Sequence, residues 1–162
     1  MEQHELIEKV KVTCQDSIVR IEEMPNDDVL VEIKKEEILS VMDILKNDPE
    51  LKFSISNHLG VDNGENYAVI YNLYSYPFKH KITVKACLDH EHPEIDSVES
   101  IFQGMNWFER ETYDLLGIKF TGHSNLKRLL LPPDWEGHPL RKDYVYPDFY
   151  NQIDNRRPDL CD

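Results

Sequence analysis

The chain has 162 residues, of which 40% are hydrophobic and 30% charged, and its formal net charge is −13. One domain of this length can bury its own core, and no apolar run approaches the roughly 20 residues of a membrane-spanning helix. The acidic N-terminus lacks a signal-peptide pattern and the negative charge excludes general nucleic-acid binding, so we expect a cytoplasmic protein.

The three cysteines lie far apart in the sequence: Cys14, Cys87 and Cys161. Because no C-x-x-C pair is present, the pattern does not favour a zinc or iron–sulfur site. We expect free thiols in a reducing compartment.

The first ninety residues have the patterns of short strands and one amphipathic helix. Residues 35–47 carry apolar side chains at helical spacing: Ile38, Val41, Met42 and Leu45. Five segments are rich in β-branched residues or alternate between apolar and polar side chains: residues 17–21, 29–33, 53–59, 67–76 and 81–88. Because only short turns join the last three, we predict an antiparallel meander there.

A second helix is predicted from about residue 96 to residue 116. Asp96 or Ser97 can cap its start, with Glu99 completing a capping box, and Gly117 is a natural residue to end it. Arg110 and Asp114, four residues apart, come within pairing reach. We expect one face of this helix to carry the following residues: Ile101, Met105, Phe108, Thr112 and Leu115.

Regular structure fades after residue 120, which divides the chain into an α+β core domain, residues 1–120, and a loop-rich extension, residues 121–162. Prolines in the extension rule out long helices and a central strand: Pro132, Pro133, Pro139, Pro147 and Pro158. Its aromatic side chains are too many for a solvated tail: Trp135, Tyr144, Tyr146, Phe149 and Tyr150. Since few elements remain to cover them, we expect the extension to dock on a partner.

The second predicted helix carries a dense set of charges: Glu109, Arg110, Glu111 and Asp114. Such carboxylates can transfer protons or cleave glycosides, with Trp107 and Trp135 as sugar platforms. Positions 109 and 111, however, point about 200° apart on a helix and cannot both face one substrate. We therefore interpret the charges as structural ion pairs that hold the extension, with three counter-ions: Arg128, Arg141 and Lys142.

Histidines offer two further hypotheses. His123 and His138 each follow a glycine and could act as acid and base near neutral pH, although we favour hydrogen bonds within their own turns. His90 and His92 lie in a loop with three acids that could bind a metal: Asp89, Glu91 and Glu94. That loop has no well-placed third ligand, so we expect its histidines to face solvent.

The charged stretch as a whole resembles a known family. The likeness lies in residues 109–118 (ERETYDLLGI), residues 120–123 (FTGH), residues 126–130 (LKRLL) and residues 137–144 (GHPLRKDY). They resemble the signature of the 30 kDa subunit (designated C) of respiratory NADH–quinone oxidoreductase, or complex I. The same family includes related subunits of membrane-bound nickel–iron hydrogenases and of deazaflavin-dependent dehydrogenases. A looser likeness extends over residues 29–147.

The sequence departs from the family pattern in two ways. Ser124 and Asn125 stand where the family has Pro-Asp, which removes a rigid turn and one acid. Pro147 lies two residues later than the family's proline.

The resemblance implies an α+β fold, a two-layer sandwich in which a mainly antiparallel sheet packs against helices, with an extended C-terminal tail. It implies that the chain itself has no catalytic residues, cofactor or metal and is a scaffold in the peripheral arm of a membrane oxidoreductase. That assembly would couple electron transport, to quinone or through a nickel–iron site, to proton or sodium translocation.

The expected partners are a large catalytic subunit of the quinone-site or nickel–iron type, a small iron–sulfur subunit and a ferredoxin-like subunit. They would hold the iron–sulfur clusters and any flavin or nickel–iron site. The chain would lie on the cytoplasmic side of the membrane and associate with it only through the complex.

The resemblance and the charge pattern together assign twelve residues to the signature and partner interface: Glu109, Arg110, Glu111, Asp114, His123, Arg128, Trp135, His138, Arg141, Lys142, Asp143 and Tyr144. The helix charges would anchor the segments around Arg128 and Arg141, while Trp135, Tyr144 and Tyr146 would fill pockets of a partner. Two alternatives stay open: a small hydrolase that uses His123 and His138 with Glu111, and an acidic metal-binding module around His90 and His92.

Overall fold

A sheet of five strands forms the centre of the computed structural model, which describes residues 3–25 and 28–154; Pro158 and Cys161 lie outside these ranges. The strands are β1 (Ile18–Glu23), β2 (Val29–Ile33), β3 (Ser54–Asp62), β4 (Tyr67–Ser75) and β5 (His80–Leu88). Across the sheet their order is β1-β2-β5-β4-β3.

The predicted meander is confirmed, because β3 pairs with β4 and β4 pairs with β5, both antiparallel. β2 instead pairs with β5 in parallel, with Val31 opposite Val84. The sequence did not predict this pairing, since a parallel pair leaves no hairpin turn between its strands. The alternation in β4 and β5 matches their burial, with these side chains in the core: Tyr67, Val69, Tyr71, Leu73, Ile82, Val84, Ala86 and Leu88.

Three helices pack with the sheet: α1 (Gln3–Thr13), α2 (Ile38–Asn47) and α3 (Met105–Leu116). The predicted apolar face of α2 is confirmed by its buried residues: Ile38, Val41, Met42 and Leu45. α1 was not predicted, because its many charges mask a narrow apolar stripe that joins the same core: Leu6, Ile7 and Val10. Sheet and helices together form the α+β two-layer sandwich that the resemblance implied. In the described part of the chain, no helix is long and apolar enough to cross a membrane.

The helix predicted from residue 96 begins only at Met105. Residues 94–96 form a short strand, β6 (Glu94–Asp96), parallel to β7 (Lys119–Thr121). Residues 98–104 form turns before the helix. Phe102 N–H donates to the Val98 carbonyl oxygen, and Met105 N–H donates to that of Phe102. The prediction was wrong here because the side chains expected in a capping box have other partners: Ser97 binds Glu109, and Glu99 binds Asn106 and Ser124.

The extension has little regular structure after β7. Its described part contains one small hairpin, β8 (Phe149–Tyr150) with β9 (Ile153–Asp154). Of the cysteines, Cys14 is buried, Cys87 is half-buried, and both are free thiols.

Gly60, in β3, lies where α3 approaches the sheet most tightly. A Cβ atom at this position would lie 2.5 Å from Thr112 Cγ2 and 2.7 Å from Leu116 Cδ1. Both distances are too short for side-chain contacts, so α3 can take this position only because residue 60 has no side chain.

Gly60→Ala is therefore expected to lower the free energy of unfolding by about 1–3 kcal/mol, because the helix or its side chains must shift. Gly104→Ala is the matched control, since nothing lies within 4 Å of a Cβ there and no loss of stability is expected. Urea unfolding followed by circular dichroism measures both variants. Equal stability of Gly60→Ala and the parent would contradict this close packing.

Candidate partner-docking site

α3 carries three charged side chains that are buried. Glu109 and Asp114 are 0% exposed and Arg110 is 8% exposed. Of the apolar face predicted for this helix, Phe108 is 37% exposed and Leu115 is only half-buried, so that part of the prediction was wrong. Arg110 and Asp114 are buried because the extension, from residue 123 onward, covers them. Glu109 is buried against the turn at residues 97–98.

Arg110 and Asp114 hold the backbone of residues 127–131 from one helix face. Arg110 donates from Nε to the Lys127 carbonyl oxygen (3.1 Å) and from Nη2 to that of Arg128 (3.0 Å). Asp114 Oδ2 accepts the N–H groups of three successive residues at 2.7–2.9 Å: Leu129, Leu130 and Leu131. The expected contact between Arg110 and Asp114 is thus replaced by hydrogen bonds from both side chains to residues 127–131. These bonds satisfy backbone groups that are not paired in any strand.

The predicted ion pair between Asp114 and Arg128 is confirmed, with Arg128 Nη1 at 2.8 Å from Asp114 Oδ1. The other terminal nitrogen, Nη2, donates to the carbonyl oxygens of Trp135 (2.9 Å) and Gly137 (3.1 Å). One guanidinium therefore joins α3 to the turn at residues 135–137, a task that needs the fork geometry of arginine.

The pKa of Asp114 lies below its usual value. Burial alone would raise this pKa, but the N–H of Leu131, the guanidinium of Arg128 and the neighbouring N–H groups outweigh it. Asp114 therefore stays ionised in the folded chain, as its role as a fourfold acceptor requires.

The C-terminal end of α3 receives four donors, one for each of its last carbonyl oxygens. The backbone N–H groups of Gly117 and Leu140 donate to Tyr113 and Leu115. His138 Nδ1 donates to Asp114 O (2.8 Å), and Arg141 Nε donates to Leu116 O (2.7 Å). Residues 138–141 thus cap the helix completely, with a cation at the negative end of its dipole.

Gly117 confirms the predicted helix end, with a φ of 75° that favours glycine. It has a second role, because a Cβ there would lie 2.4 Å from Arg141 Nη2 and 2.5 Å from His138 Cδ2. The absence of a side chain lets the cap reach the helix.

Arg141 and Lys142 are not the counter-ions of the α3 acids, which corrects the prediction. Arg141 binds a backbone carbonyl, as described, and lies over the ring of Tyr67 at 5.5 Å from the centroid. Lys142 contributes its backbone N–H, which donates to Asp62 Oδ2 (2.8 Å), while its side chain and that of Asp143 are exposed. Sequence reasoning missed Tyr67 and Asp62, because both lie far away in the chain and neither has a signal of its own.

Glu109 also does not hold a basic segment. It accepts the Ser97 hydroxyl at 2.5 Å and the Val98 N–H at 2.9 Å, which fixes the turn before α3. Burial raises the pKa of Glu109 to about 7, and the Glu99 carboxylate adds to this, against the lowering effect of the two hydrogen bonds. Glu111, expected in the same set, is exposed.

Glu99 holds the turn at residues 122–125 by bonds that the family's proline could not make. The N–H of Ser124 donates to Glu99 Oε2 (2.8 Å) and its hydroxyl to Oε1 (2.7 Å). Burial opposes ionisation, but these donors and Asn106 lower the pKa of Glu99 to about 2. Hydrogen bonds replace the rigidity that the missing proline removes.

His123 and His138 have structural partners at opposite ends of α3. His123 Nδ1 accepts the N–H of Asn125 in its own turn, as predicted, and its Nε2 donates to the Asn106 carbonyl. His138 departs from the prediction, because it binds Asp114 rather than its own turn. Burial lowers the pKa of His138. Eight residues of helix, about 12 Å, separate Asn106 from Asp114, so the two histidines do not converge with exposed Glu111.

The loop around His90 and His92 folds around Asp89, whose Oδ1 accepts the N–H groups of Glu91 and His92. The ring of His90 stacks on Tyr67 at 5.1 Å. Within residues 3–25 and 28–154, no three His, Cys, Asp or Glu side chains gather in a way that could hold a metal ion.

The extension leaves many large apolar side chains uncovered. Trp135 packs on Tyr150 at 4.9 Å, and Tyr144 packs on Tyr146 at the same distance. Several others are more than half exposed: Leu130, Leu140, Val145, Tyr146, Phe149 and Ile153. Contact of this surface with other subunits stays a prediction.

Asp114→Asn is expected to free residues 127–131 from α3, because an amide cannot accept three N–H groups and also face Arg128. Loss of one member of a buried pair costs about 3–5 kcal/mol. Amide hydrogen exchange of Leu129, Leu130 and Leu131, read by mass spectrometry, should accelerate strongly. Glu111→Gln, which alters an exposed residue on the same helix, is the control. Unchanged exchange in Asp114→Asn would show that Asp114 does not hold this segment.

Glu109 should make stability fall with rising pH. Its carboxyl is protonated in both states below its usual pKa of 4.5, so its contribution is complete there and is lost as pH rises through about 7. At about 1.4 kcal/mol per pKa unit, the loss is about 3 kcal/mol.

Glu109→Gln mimics the protonated form and should remove this slope, whereas Glu111→Gln should keep it. The measurement is the difference in unfolding free energy between variant and parent from pH 4.5 to pH 8. Parallel curves for Glu109→Gln and the parent would contradict the raised pKa.

Comparisons with known proteins identify the family of this chain. The family model of the respiratory-chain NADH dehydrogenase 30 kDa subunit matches residues 31–150. The C-designated NADH-quinone oxidoreductase subunit of Roseiflexus sp. (strain RS-1) is 39% identical over 142 residues, which cover 85% of this chain and 81% of that protein. The equivalent protein of Trichlorobacter lovleyi is 38% identical over 143 residues, covering 85% and 86%.

Two solved structures share the fold. A trypsin-resistant fragment of Nqo5 superposes with a TM-score of 0.61 at 23% identity, covering 78% of this chain and 100% of the fragment. A chain of the membrane-bound sulfane sulfur reductase, an archaeal respiratory membrane complex, superposes with a TM-score of 0.73 at 16% identity, covering 88% and 85%. The chain therefore belongs to the family of the 30 kDa subunit of respiratory-chain NADH dehydrogenase, the NADH–quinone oxidoreductase of complex I.

Proposed function

We propose that this chain is a non-catalytic scaffold in the peripheral arm of a complex-I-like membrane oxidoreductase. The observation that carries the proposal is the set of hydrogen bonds by which Arg110 and Asp114 hold residues 127–131. It uses deeply buried charges of the signature to fix the extension, rather than to line a catalytic cleft. A rigidly held segment loses little entropy when it docks, which suits a subunit that joins others.

The apolar surface of the extension, which these hydrogen bonds hold in place, supports docking on a partner. Leu130 and Leu140 lie on the segments that α3 holds and are 60% and 57% exposed. Val145, which follows these segments, is 85% exposed. Apolar side chains held outward by buried ion pairs are typical of a surface that another protein covers.

We infer that the main partner is the large catalytic subunit, of the quinone-site or nickel–iron type. One relative, an NADH-quinone oxidoreductase protein from Photorhabdus laumondii, carries the double designation C/D, and this chain matches 21% of its length at 36% identity. A single protein that bears the letters of two subunits favours direct contact between the two parts.

The proposed set of partners also includes a small iron–sulfur subunit and a ferredoxin-like subunit. These subunits would carry the iron–sulfur clusters and any flavin or nickel–iron site, while this chain holds none. It would sit on the cytoplasmic face, bound to the membrane only through the complex, and support electron transfer coupled to proton or sodium translocation.

Arg141→Ala is expected to reduce incorporation into the assembled complex, because the Leu116 carbonyl loses its donor and residues 138–141 loosen. Arg20→Ala, which removes an exposed arginine on β1 outside the proposed interface, should incorporate like the parent. The measurement is co-purification of the large subunit with a tagged chain from its own cells, normalised to the amount of folded tagged protein. A parent chain that purifies alone, or an Arg141→Ala variant that incorporates fully, would contradict the scaffold role.

A further inference from the structure

A pocket of about 580 Å³ opens in the extension, beside the turn that Arg128 holds. Its lining includes two acids, Asp134 and Glu136, and four aromatic residues: Trp135, Tyr144, Phe149 and Tyr150. The volume lies within the range of ligand pockets, about 300–1,000 Å³.

The pocket walls are fixed by contacts within the chain. Tyr150 donates its hydroxyl to Asp134 Oδ1 (2.9 Å), and Tyr144 donates to the Glu136 carbonyl (3.0 Å). Tyr144 also lies against Gly137, where a Cβ would be 2.6 Å from Tyr144 Cε2 and where φ is 78°. The pocket is thus preformed, and two of its aromatic rings do not have to move to accept an occupant.

The charge of the pocket favours a cation. Among the described residues that line it, Asp134 and Glu136 are ionisable acids and none is Lys, Arg or His. Aromatic faces carry negative electrostatic potential and attract guanidinium and ammonium groups. The carboxylates of the lining strengthen the same preference.

Trp135 supplies a second preference. Its indole Nε1 is shielded from solvent and has no hydrogen-bond partner in the described ranges. Buried donors in native proteins nearly always have an acceptor. Because Nε1 is closed to solvent, an occupant reaches it only when the indole ring turns. A peptide segment then offers a carbonyl acceptor, which a free metal ion does not.

We infer that this pocket receives an arginine or lysine side chain on an extended segment of a neighbouring subunit, with the cation between the aromatic walls and the Asp134 and Glu136 carboxylates. This inference rests on the proposed scaffold function and specifies its chemistry. It also reverses the sequence expectation for Trp135 and Tyr144, which become the walls of a pocket instead of inserts into one.

The first test uses the isolated chain and the indole N–H signals of its two tryptophans. Acetyl-glycyl-arginyl-glycine amide should shift the Trp135 signal, while exposed Trp107 serves as the internal control. The peptide with citrulline in place of arginine has the same shape without charge and should bind about tenfold more weakly. Asp134→Asn with Glu136→Gln should weaken the arginine peptide similarly, since Asn can still accept the Tyr150 hydroxyl.

Equal shifts with both peptides, or none up to the solubility limit of the arginine peptide, would overturn the inference. This readout does not depend on the complex, so its failure is distinct from failure of the scaffold proposal.

The second test identifies the occupant within the purified native complex. A photo-crosslinking p-benzoylphenylalanine at Val145, an exposed pocket residue, should link to a stretch of another subunit that contains Lys or Arg. The same group at Val12, exposed on α1, is the control. A link to residues 155–162 of this chain, which include Arg156 and Arg157, or to a stretch without basic residues, would refute a basic partner segment.

Discussion

The position of the extension depends on the carboxylate of Asp114. A buried charge is costly unless several donors surround it, and Asp114 receives three backbone N–H groups and the guanidinium of Arg128. Residues 127–131 gain from the same bonds, because their backbone groups pair with no strand and would otherwise need water. Arg110 completes the arrangement by binding the carbonyl oxygens that precede these N–H groups. The charge and the irregular segment thus stabilise each other, and neither arrangement is favourable alone.

The helix, rather than the sheet, organises the extension, and it does so at both ends. At its C-terminus the segment 138–141 satisfies the last carbonyl oxygens with backbone, imidazole and guanidinium donors. Near its N-terminus the Asn106 carbonyl oxygen accepts the Nε2–H of His123. The sheet contributes position, because Gly60 lets α3 approach closely enough for Arg141 to reach both Leu116 and the ring of Tyr67. The charged residues of the signature therefore bind mainly backbone groups of the folded chain.

This difference explains how much could be predicted. Alternation and turn length predicted the meander and α2, because those signals are local, and opposite charges predicted the pair of Asp114 with Arg128. The partner of Arg141 is a carbonyl oxygen, which every residue has, so no pattern of side chains points to it. Asp96 and Glu99 looked like a capping box because their spacing fits one, with Ser97 as the alternative cap. The side chain of Glu99 instead binds Ser124, and that of Ser97 binds Glu109. Contacts between distant backbone and side-chain groups are what the sequence did not reveal.

Arg128 connects α3 to the backbone of the pocket, which links docking to the order of the extension. Arg128 binds Asp114 with one nitrogen and the carbonyl oxygens of Trp135 and Gly137 with the other. A ligand that binds only the ordered form stabilises it by mass action. An occupant of the pocket therefore also stabilises the contact of Arg128 with α3, and a weakened contact lowers affinity for the occupant by the same free energy. Assembly and local folding of this subunit are then thermodynamically coupled through Arg128.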